Sequence, residues 1–302
     1  MKIAIYGLGR MGKQIATKLI TSPGFEVIVH NRSKEPINEL AGLGAIPAFT
    51  LEEMVNAFND QRPIIWLMLP YEVVDSKLAN LIPLLPPGSL VIDGGNSNFN
   101  DTKRRNQKLT EINLNYMDIG VSGGVWGIKN GFSMMVGSDN LDNYKQLEKV
   151  LAVLSSPNGA YDYFGPSGSG HFVKMVHNGI EYGMMESLAE GYRLLKEGPF
   201  ENIDLTKVAK IYQKGSVIKS WLNSLLVDII QENPNLSGIN GVVAQSGEAK
   251  WTIDTAKQNG IDLPIIEKSL KVRLDSEKGK INYSTKLLSA MRNKFGGHNL
   301  NN

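Results

Sequence analysis

The chain has 302 residues, which is long enough for two domains, and its 42% hydrophobic and 21% charged residues are ordinary for a globular protein. A net charge of only +2 excludes bulk attraction to nucleic acid or membranes, and the absence of cysteine excludes disulfides and thiolate chemistry. Because the sequence begins with a strand and has no apolar run near the roughly 18 residues of a membrane helix, we expect a cytoplasmic protein without a signal peptide.

The first predicted strand, Lys2–Tyr6, leads directly into a glycine-rich loop. A helix pattern then runs to about Thr21, so the loop has the strand-to-helix context that the G-x-G-x-x-G motif requires. The first glycine of this motif makes a tight turn, the second admits a pyrophosphate, and the third lets helix and strand pack closely. A dinucleotide site is therefore predicted at Gly7, Leu8, Gly9, Arg10, Met11 and Gly12.

The second predicted strand, residues 25–30, ends where a dinucleotide-binding fold selects its cofactor. NAD enzymes usually place an acidic residue there, whereas this chain has Asn31, Arg32 and Ser33. A guanidinium can clamp a 2′-phosphate and stack on adenine, so this segment favours NADP over NAD. The alternative is that Arg32 is a surface residue that begins the next helix.

Strands and helices continue to alternate through the first half of the chain. Strands are predicted at 45–49, 63–69, 89–92, 113–119 and 132–136, and helices at 51–58, 71–84 and 140–154. This alternation predicts a parallel, doubly wound α/β sheet, in which ligands bind beyond the carboxyl ends of the strands. Those ends carry Met68, Leu69, Pro70, Asn96, Ser122, Gly123 and Gly124. The Ser122 hydroxyl and the backbone N–H groups of Gly123 and Gly124 could hold a carboxylate, whereas Gly94–Gly95 is typical of an ordinary turn.

Helical patterns dominate after about Pro166. Further helices are predicted at about 168–195, 205–213, 217–231, 247–258, 263–276 and 285–294. The predicted architecture is a Rossmann domain over residues 1–165 followed by an all-helical domain over residues 166–302.

The helix that begins near Gly168 carries the best candidates for catalysis. At helical spacing, one face collects Lys174, His177, Asn178, Glu181 and Tyr182. A desolvated lysine can stay neutral and act as a base, and a carboxyl two turns along can supply the acid. The opposite face is apolar and is expected to pack in the core: Phe172, Val173, Met175, Val176 and Ile180. The alternative is a solvated face with an i, i+7 charge pair.

Taken together, G-x-G-x-x-G, N-R-S, S-G-G and GHFVKMVHNGIEY resemble the decarboxylating 6-phosphogluconate dehydrogenases, and the short helical domain resembles their short-chain branch. The resemblance implies conversion of 6-phospho-D-gluconate to D-ribulose 5-phosphate and CO2 with reduction of NADP or NAD, in the pentose phosphate pathway and gluconate utilization. It makes Lys174 the base at the C3 hydroxyl and Glu181 the acid that protonates C1. His177, Asn178, Asn96, Ser122, Gly123 and Gly124 would orient the substrate, and Tyr182 would touch its phosphate.

Later segments extend the resemblance. Lys250-Trp251-Thr252 resembles a phosphate-binding K-W-T motif, and Arg273 falls where the family has a phosphate-binding arginine. Arg292 and His298 match a pair that the partner subunit contributes in the family, which implies a homodimer whose C-terminal tail reaches the partner's site. No metal is suggested, since the four histidines are scattered and cysteine is absent. Residues 125–127 depart from the long form, which carries an acidic pair there.

Two alternative functions remain. Another β-hydroxyacid dehydrogenase, of the 3-hydroxyisobutyrate type, would share the fold and the lysine but would need no phosphate cluster, so Lys250, Arg273, Arg292 and His298 distinguish it. A non-catalytic NADP-binding sensor would be expected to lose the lysine or the carboxyl, whereas this chain has both Lys174 and Glu181.

Overall fold

The computed structural model describes residues 1–245 and 247–300 and divides into two compact units, Met1–Met175 and Val176–Asn302. The first unit is a sheet covered by helices and the second is helical. The predicted fold class, a Rossmann domain followed by a helical domain, is confirmed.

The first unit is built on one eight-stranded sheet. Its strand order is β3-β2-β1-β4-β5-β6-β7-β8. The strands are β1 Lys2–Tyr6, β2 Glu26–His30, β3 Ile46–Ala48, β4 Ile64–Leu67, β5 Leu90–Asp93, β6 Asn115–Ser122, β7 Ser133–Ser138 and β8 Tyr161–Gly165. The helices are α1 Arg10–Ile20, α2 Glu35–Ala41, α3 Leu51–Asn56, α4 Tyr71–Leu81, α5 Phe99–Thr110, α6 Gly127–Asn130 and α7 Leu141–Ser155.

The central strands form because their sequences are nearly continuous apolar runs. Every residue of β1 and β5 is buried, as expected for parallel strands that helices cover on both faces. Side-chain caps fix several helix starts: Thr50, Asn98 and Asn140 each accept a backbone N–H in the first turn of α3, α5 and α7. The strand order reverses between β1 and β4, and such a switch point is where α/β sheets bind ligands.

The sequence predicted a parallel sheet, but the observed sheet is mixed. Strands β1 to β6 are parallel, but β7 pairs antiparallel with β6, and β8 then runs parallel to β7. Only a short segment joins β6 to β7, whereas a parallel connection needs a crossover of about a dozen residues or more. Strand β8 and helices α2, α5 and α6 were not predicted.

The second unit is a helical bundle. Its helices are the C-terminal part of α8 (Ser169–Glu197), α9 Leu205–Tyr212, α10 Trp221–Glu232, α11 Glu248–Gln258, α12 Pro264–Glu277 and α13 Tyr283–Gly296. Its core includes Leu226, Val243, Leu287, Leu288 and Met291, all fully buried. A capping box between Asn282 and Thr285 fixes the start of α13. Within the described residues, no helix is both long enough and apolar enough to cross a lipid bilayer.

Helix α8 begins inside the first unit, so the units divide later than the change near Pro166 that the sequence indicated. Close packing on the sheet explains this. A Cβ added at Gly120 of β6 would lie 2.3 Å from the Lys174 Cβ, and one at Gly137 of β7 would lie 2.8 Å from the Gly170 backbone N. Glycine on both sides therefore lets the first turns of α8 rest directly on the sheet.

Candidate active site

The glycine loop after β1 has the geometry that a dinucleotide requires. Gly7 has a φ of +103°, and a Cβ there would lie 2.5 Å from the Met68 carbonyl oxygen. A Cβ at Gly12 would lie 2.0 Å from the Gly7 carbonyl oxygen, whereas one at Gly9 would meet nothing within 4 Å. Gly9 is also the N-cap of α1 and provides no side-chain cap, so the N-cap residue itself does not compete with an anion at this helix N-terminus.

The segment after β2 is tied to this loop. The Asn31 Oδ1 accepts the backbone N–H of Leu8 at 3.0 Å, and the Asn31 Nδ2 donates to the Ser33 Oγ at 2.9 Å. Arg32 lies between them and is exposed. Arg32, whose guanidinium would bind a 2′-phosphate, therefore lies on a segment that is fixed to the glycine loop. Residues 31–33 include no carboxylate.

The end of β5 is held by a buried ionic network that the sequence did not reveal. Asp93 is fully buried, and its Oδ2 accepts hydrogen bonds from Ser97 at 2.8 Å, Tyr116 at 3.0 Å and Arg105 at 3.2 Å. Arg105 also binds both carboxylate oxygens of Asp75, which lowers the pKa of Asp75. This network holds the loop that presents Asn96.

The two glycines of that loop do more than form an ordinary turn. A Cβ at Gly94 would lie 1.9 Å from the Trp66 Nε1, and one at Gly95 would lie 2.5 Å from the Leu69 carbonyl oxygen. Packing therefore requires glycine at both positions, which the interpretation of this pair as an ordinary turn had not predicted. The segment of Met68, Leu69 and Pro70 follows β4 next to this loop, and Leu69 and Met68 are half-buried.

The end of β6 forms a second glycine turn. Ser122 is its last residue, and Gly123 and Gly124 follow with φ of +133° and +54°. These left-handed backbone conformations suit glycine, and they turn the chain into a short 3₁₀ helix over Gly124–Trp126. Strands β5 and β6 are adjacent and parallel, so Asn96 and Ser122 follow neighbouring strands at the same edge of the sheet.

Lys174 joins this edge through α8. Lys174 is 7% exposed, and its Cβ packs against Gly120. Gly120 lies two residues before Ser122 on β6. The buried Asp118 carboxylate anchors the start of α8 by accepting the backbone N–H groups of Gly168 and His171, each at 2.7 Å. Burial raises the pKa of Asp118. This anchor could not be predicted from the sequence, because Asp118 lies 50 and 53 residues before Gly168 and His171.

The prediction for the two faces of α8 was wrong in part. Phe172 and Ile180, expected in the core, are 39% and 54% exposed, whereas Met175 is buried as expected. Lys174 and Asn178, by contrast, are buried. The polar face is therefore desolvated at these two positions, and desolvation disfavours the charged form of a lysine.

In the second unit, the next turn of α8 carries an acid and a histidine. The His177 Nδ1 lies 3.1 Å from the Asn178 Oδ1 and 3.9 Å from the Glu181 Oε2. The side chains of His177 and Glu181 are 36% and 25% exposed, so both are partly accessible. Glu181 follows Lys174 by seven residues, which is two turns along one face of the same helix.

A buried arginine cluster lies on the neighbouring helices. The Arg273 Cζ sits 3.3 Å from the centroid of the Tyr182 ring, and the Arg273 Nη2 donates to the Met185 Sδ at 3.6 Å. Arg273 is 2% exposed and Arg292 is 9% exposed. Burial and the neighbouring Arg273 charge lower the pKa of Arg292 to about 10. The Arg273 charge on α12 therefore acts on Arg292 on α13, and two buried charges of the same sign provide a favourable environment for an anion.

The other two predicted phosphate ligands are Lys250 and His298. Lys250 is exposed on α11, whereas the buried face of that helix presents Glu248 and Thr252. His298 follows α13, and its carbonyl oxygen accepts the Asn293 Nδ2 at 2.7 Å. Arg292 and Arg273 interact electrostatically within one chain. Glu248, which contributes to the electrostatics of both arginines, was not predicted.

Comparisons with known proteins agree with this geometry. A sequence model described as the NAD binding domain of 6-phosphogluconate dehydrogenase matches residues 2–165, and one for the C-terminal domain of 6-phosphogluconate dehydrogenase matches residues 170–282. The NAD(+)-dependent, decarboxylating 6-phosphogluconate dehydrogenase of Haloferax volcanii is 37% identical over 301 residues, covering 99% of this chain and 98% of that protein.

Solved structures show the same fold. The Plasmodium falciparum 6-phosphogluconate dehydrogenase superposes with a TM-score of 0.80 at 27% identity, over 96% of this chain and 70% of that one. A Mycobacterium tuberculosis 3-hydroxyisobutyrate dehydrogenase, at 18% identity, shares the fold with a TM-score of 0.74 over 95% of this chain and 97% of that one. The chain therefore belongs to the 6-phosphogluconate dehydrogenase family and is an NAD(P)-dependent dehydrogenase.

Proposed function

We propose that this chain catalyses the oxidative decarboxylation of 6-phospho-D-gluconate to D-ribulose 5-phosphate and CO2, with reduction of NADP. The observation that carries this proposal is the buried pair Arg273 and Arg292 beside Tyr182. A phosphate dianion needs several fixed cations, whereas an unphosphorylated hydroxyacid has no use for them at this position.

The residues of the chain account for each proton. Lys174, neutral at the start, takes the proton of the C3 hydroxyl, and its burial favours that neutral form. The bound nicotinamide supplies the acceptor for the hydride from C3. The resulting β-keto acid loses CO2 because its ketone accepts the electron pair, and the protonated Lys174 returns its proton to that oxygen to give the enediol. Lys174 takes this proton back when C1 is protonated and the ketone forms again. Glu181 then donates a proton to C1 of the enediol, and its partly exposed position lets it regain a proton from solvent.

Other side chains bind and orient the substrate in this proposal. His177 and Asn178 lie between the two proposed catalytic residues on α8. Asn96 and the Ser122-Gly123-Gly124 turn offer hydrogen bonds at the sheet edge. Tyr182, Arg273 and Arg292 take the phosphate. Lys250 and His298 remain candidate phosphate ligands, each able to act from this chain or from a partner.

A homodimer also belongs to the proposal. Exposed apolar residues follow one face of α8, with Ile180, Met184 and Leu194 at 54%, 45% and 69% exposure. A stripe of this kind is typical of a surface that another chain covers.

The cofactor preference rests on Arg32, whose exposed guanidinium can clamp a 2′-phosphate. NADP is the favoured cofactor for this reason. NAD is the alternative, since the Haloferax volcanii relative is named as NAD(+)-dependent.

One assay panel tests the proposal. Purified protein is mixed with 6-phosphogluconate, gluconate or 3-hydroxyisobutyrate, each with NADP or NAD, and the absorbance of the reduced cofactor is followed together with CO2 release. We expect turnover and equimolar CO2 with 6-phosphogluconate alone. Turnover of 3-hydroxyisobutyrate without CO2 would establish the alternative dehydrogenase, and binding of NADP without turnover of any substrate would establish the sensor.

A further inference from the structure

Glu186 is a buried carboxyl that the proposed reaction does not use. It is 5% exposed on α8, and neither carboxyl oxygen has a hydrogen-bond partner within the part of the chain that the structure describes. A buried ionised carboxylate in this state is strongly unfavourable, so the group needs a reason for its position.

The position of Glu186 is next to the arginine cluster. The Arg273 guanidinium contacts Tyr182, one turn earlier on α8, and Met185, the residue directly before Glu186. Arg273 and Glu186 interact electrostatically, although no hydrogen bond joins them. Glu186 therefore directly follows a residue that the guanidinium contacts, and it interacts electrostatically with the group that the proposed phosphate would bind.

We propose that Glu186 controls the affinity of the Arg273–Arg292 pair for a dianionic phosphate ester by neutralising part of the Arg273 charge when it ionises. With a neutral Glu186, both guanidinium charges act on the ligand. With an ionised Glu186, the cluster loses one positive charge and attracts the dianion less strongly. Glu186 is a positioning residue in this scheme, because it acts on the ligand through Arg273.

The direction of the pH dependence follows. Burial, and then the nearby Glu190 carboxylate, raise the pKa of Glu186 to about 7. Affinity for the dianion is therefore highest below this pKa and falls as the pH rises through it. The other titratable or charged groups around the cluster are Glu181 and Tyr182 on α8, Glu248 on α11, and Arg292 on α13. Two histidines also lie in this unit, His177 earlier on α8 and His298 after α13.

Sulfate is the appropriate probe, because it stays a dianion from pH 6 to 8.5, whereas a phosphate ester has its own pKa near 6. Its dissociation constant is measured by calorimetry across that range at constant ionic strength, using the full-length protein. We expect sulfate binding to weaken about tenfold with rising pH, which corresponds to one pKa unit of coupling. Glu186→Gln, which has the same shape and no charge, should bind sulfate with a constant affinity.

Two further variants sharpen the test. Glu186→Leu also lacks the charge and covers the case in which the glutamine variant does not fold, as judged by circular dichroism. Glu190→Gln is the matched control, since Glu190 is exposed on the same helix. It should keep the pH dependence, with a midpoint at lower pH because one source of the raised pKa is gone.

Three results would overturn the inference: no sulfate binding, pH-independent binding in the wild-type protein, or an unchanged pH profile in both Glu186 variants, which would assign the effect to a histidine. The inference rests on the proposed function for the identity of the ligand. Sulfate binding requires no turnover, however, so a failed 6-phosphogluconate assay with intact pH-dependent sulfate binding would refute the substrate and leave the role of Glu186 in place.

Discussion

Gly120→Ala is the substitution that most directly tests whether the seating of α8 on the sheet sets the catalytic geometry. The added methyl would lie 2.3 Å from the Lys174 Cβ and 3.0 Å from the Gly170 carbonyl oxygen. Carbon atoms in contact need about 3.5 Å, so α8 or β6 must move by roughly 1.2 Å. A displacement of this size at a catalytic group costs on the order of 100-fold in rate, or about 2.7 kcal/mol of transition-state stabilisation.

The same change should cost less in stability than in rate. Overpacking of one methyl typically destabilises by about 1–3 kcal/mol, and a unit of this size loses about 2–4 °C of melting temperature per kcal/mol. Gly191→Ala is the matched control, because it lies on the same helix and an added Cβ meets nothing within 4 Å. It should stabilise the helix by about 1 kcal/mol and leave kcat unchanged. A folded Gly120→Ala enzyme with kcat within twofold of wild type would refute the argument.

Three further substitutions test individual roles. Lys174→Met should fold and bind NADP(H), yet lose at least about 100-fold in kcat because the base is gone, and near-normal turnover would remove the assignment. Glu181→Gln should slow protonation of the enediol, which is measured as exchange of the C1 hydrogen with deuterated solvent; exchange at the wild-type rate would contradict the acid role. Arg32→Asp should shift the ratio of kcat/KM for NADP over NAD toward NAD, since a carboxylate repels the 2′-phosphate, and an unchanged ratio would count against the cofactor assignment.

The parts of the fold that could be predicted are those that depend on local sequence. The glycine loop after Lys2–Tyr6 and the long helix from Ser169 carry their signals in consecutive residues, so spacing alone identifies them. Helix α5 could not be found in this way. Its sequence is mostly polar, and the residue that anchors it, Arg105, is buried only because Asp75 and Asp93 meet it from distant parts of the chain.

The electrostatic interactions of the candidate site could not be predicted from the sequence, because they also join residues that are distant along the chain. Asp118 anchors α8 from a strand fifty residues earlier, and Glu186 gains its importance from Arg273, which lies on another helix. In the sequence, Glu186 is one of several acidic residues on a long helix. Only the fold shows that Glu186 is buried and has no hydrogen-bond partner among the described residues, while Glu190 is in solvent.

The burial pattern of α8 differs from the one that packing alone would produce. A helix that served only to stabilise the fold would bury Ile180 and Met184 and expose Lys174 and Asn178, because burying polar groups costs free energy and burying apolar ones releases it. This helix does the reverse at all four positions. The desolvation of Lys174 is a requirement for its proposed role as a base, and the exposed apolar residues are suited to a second chain. Both departures from simple packing lie on one helix, which carries residues of the proposed chemistry as well as the exposed apolar residues proposed for assembly.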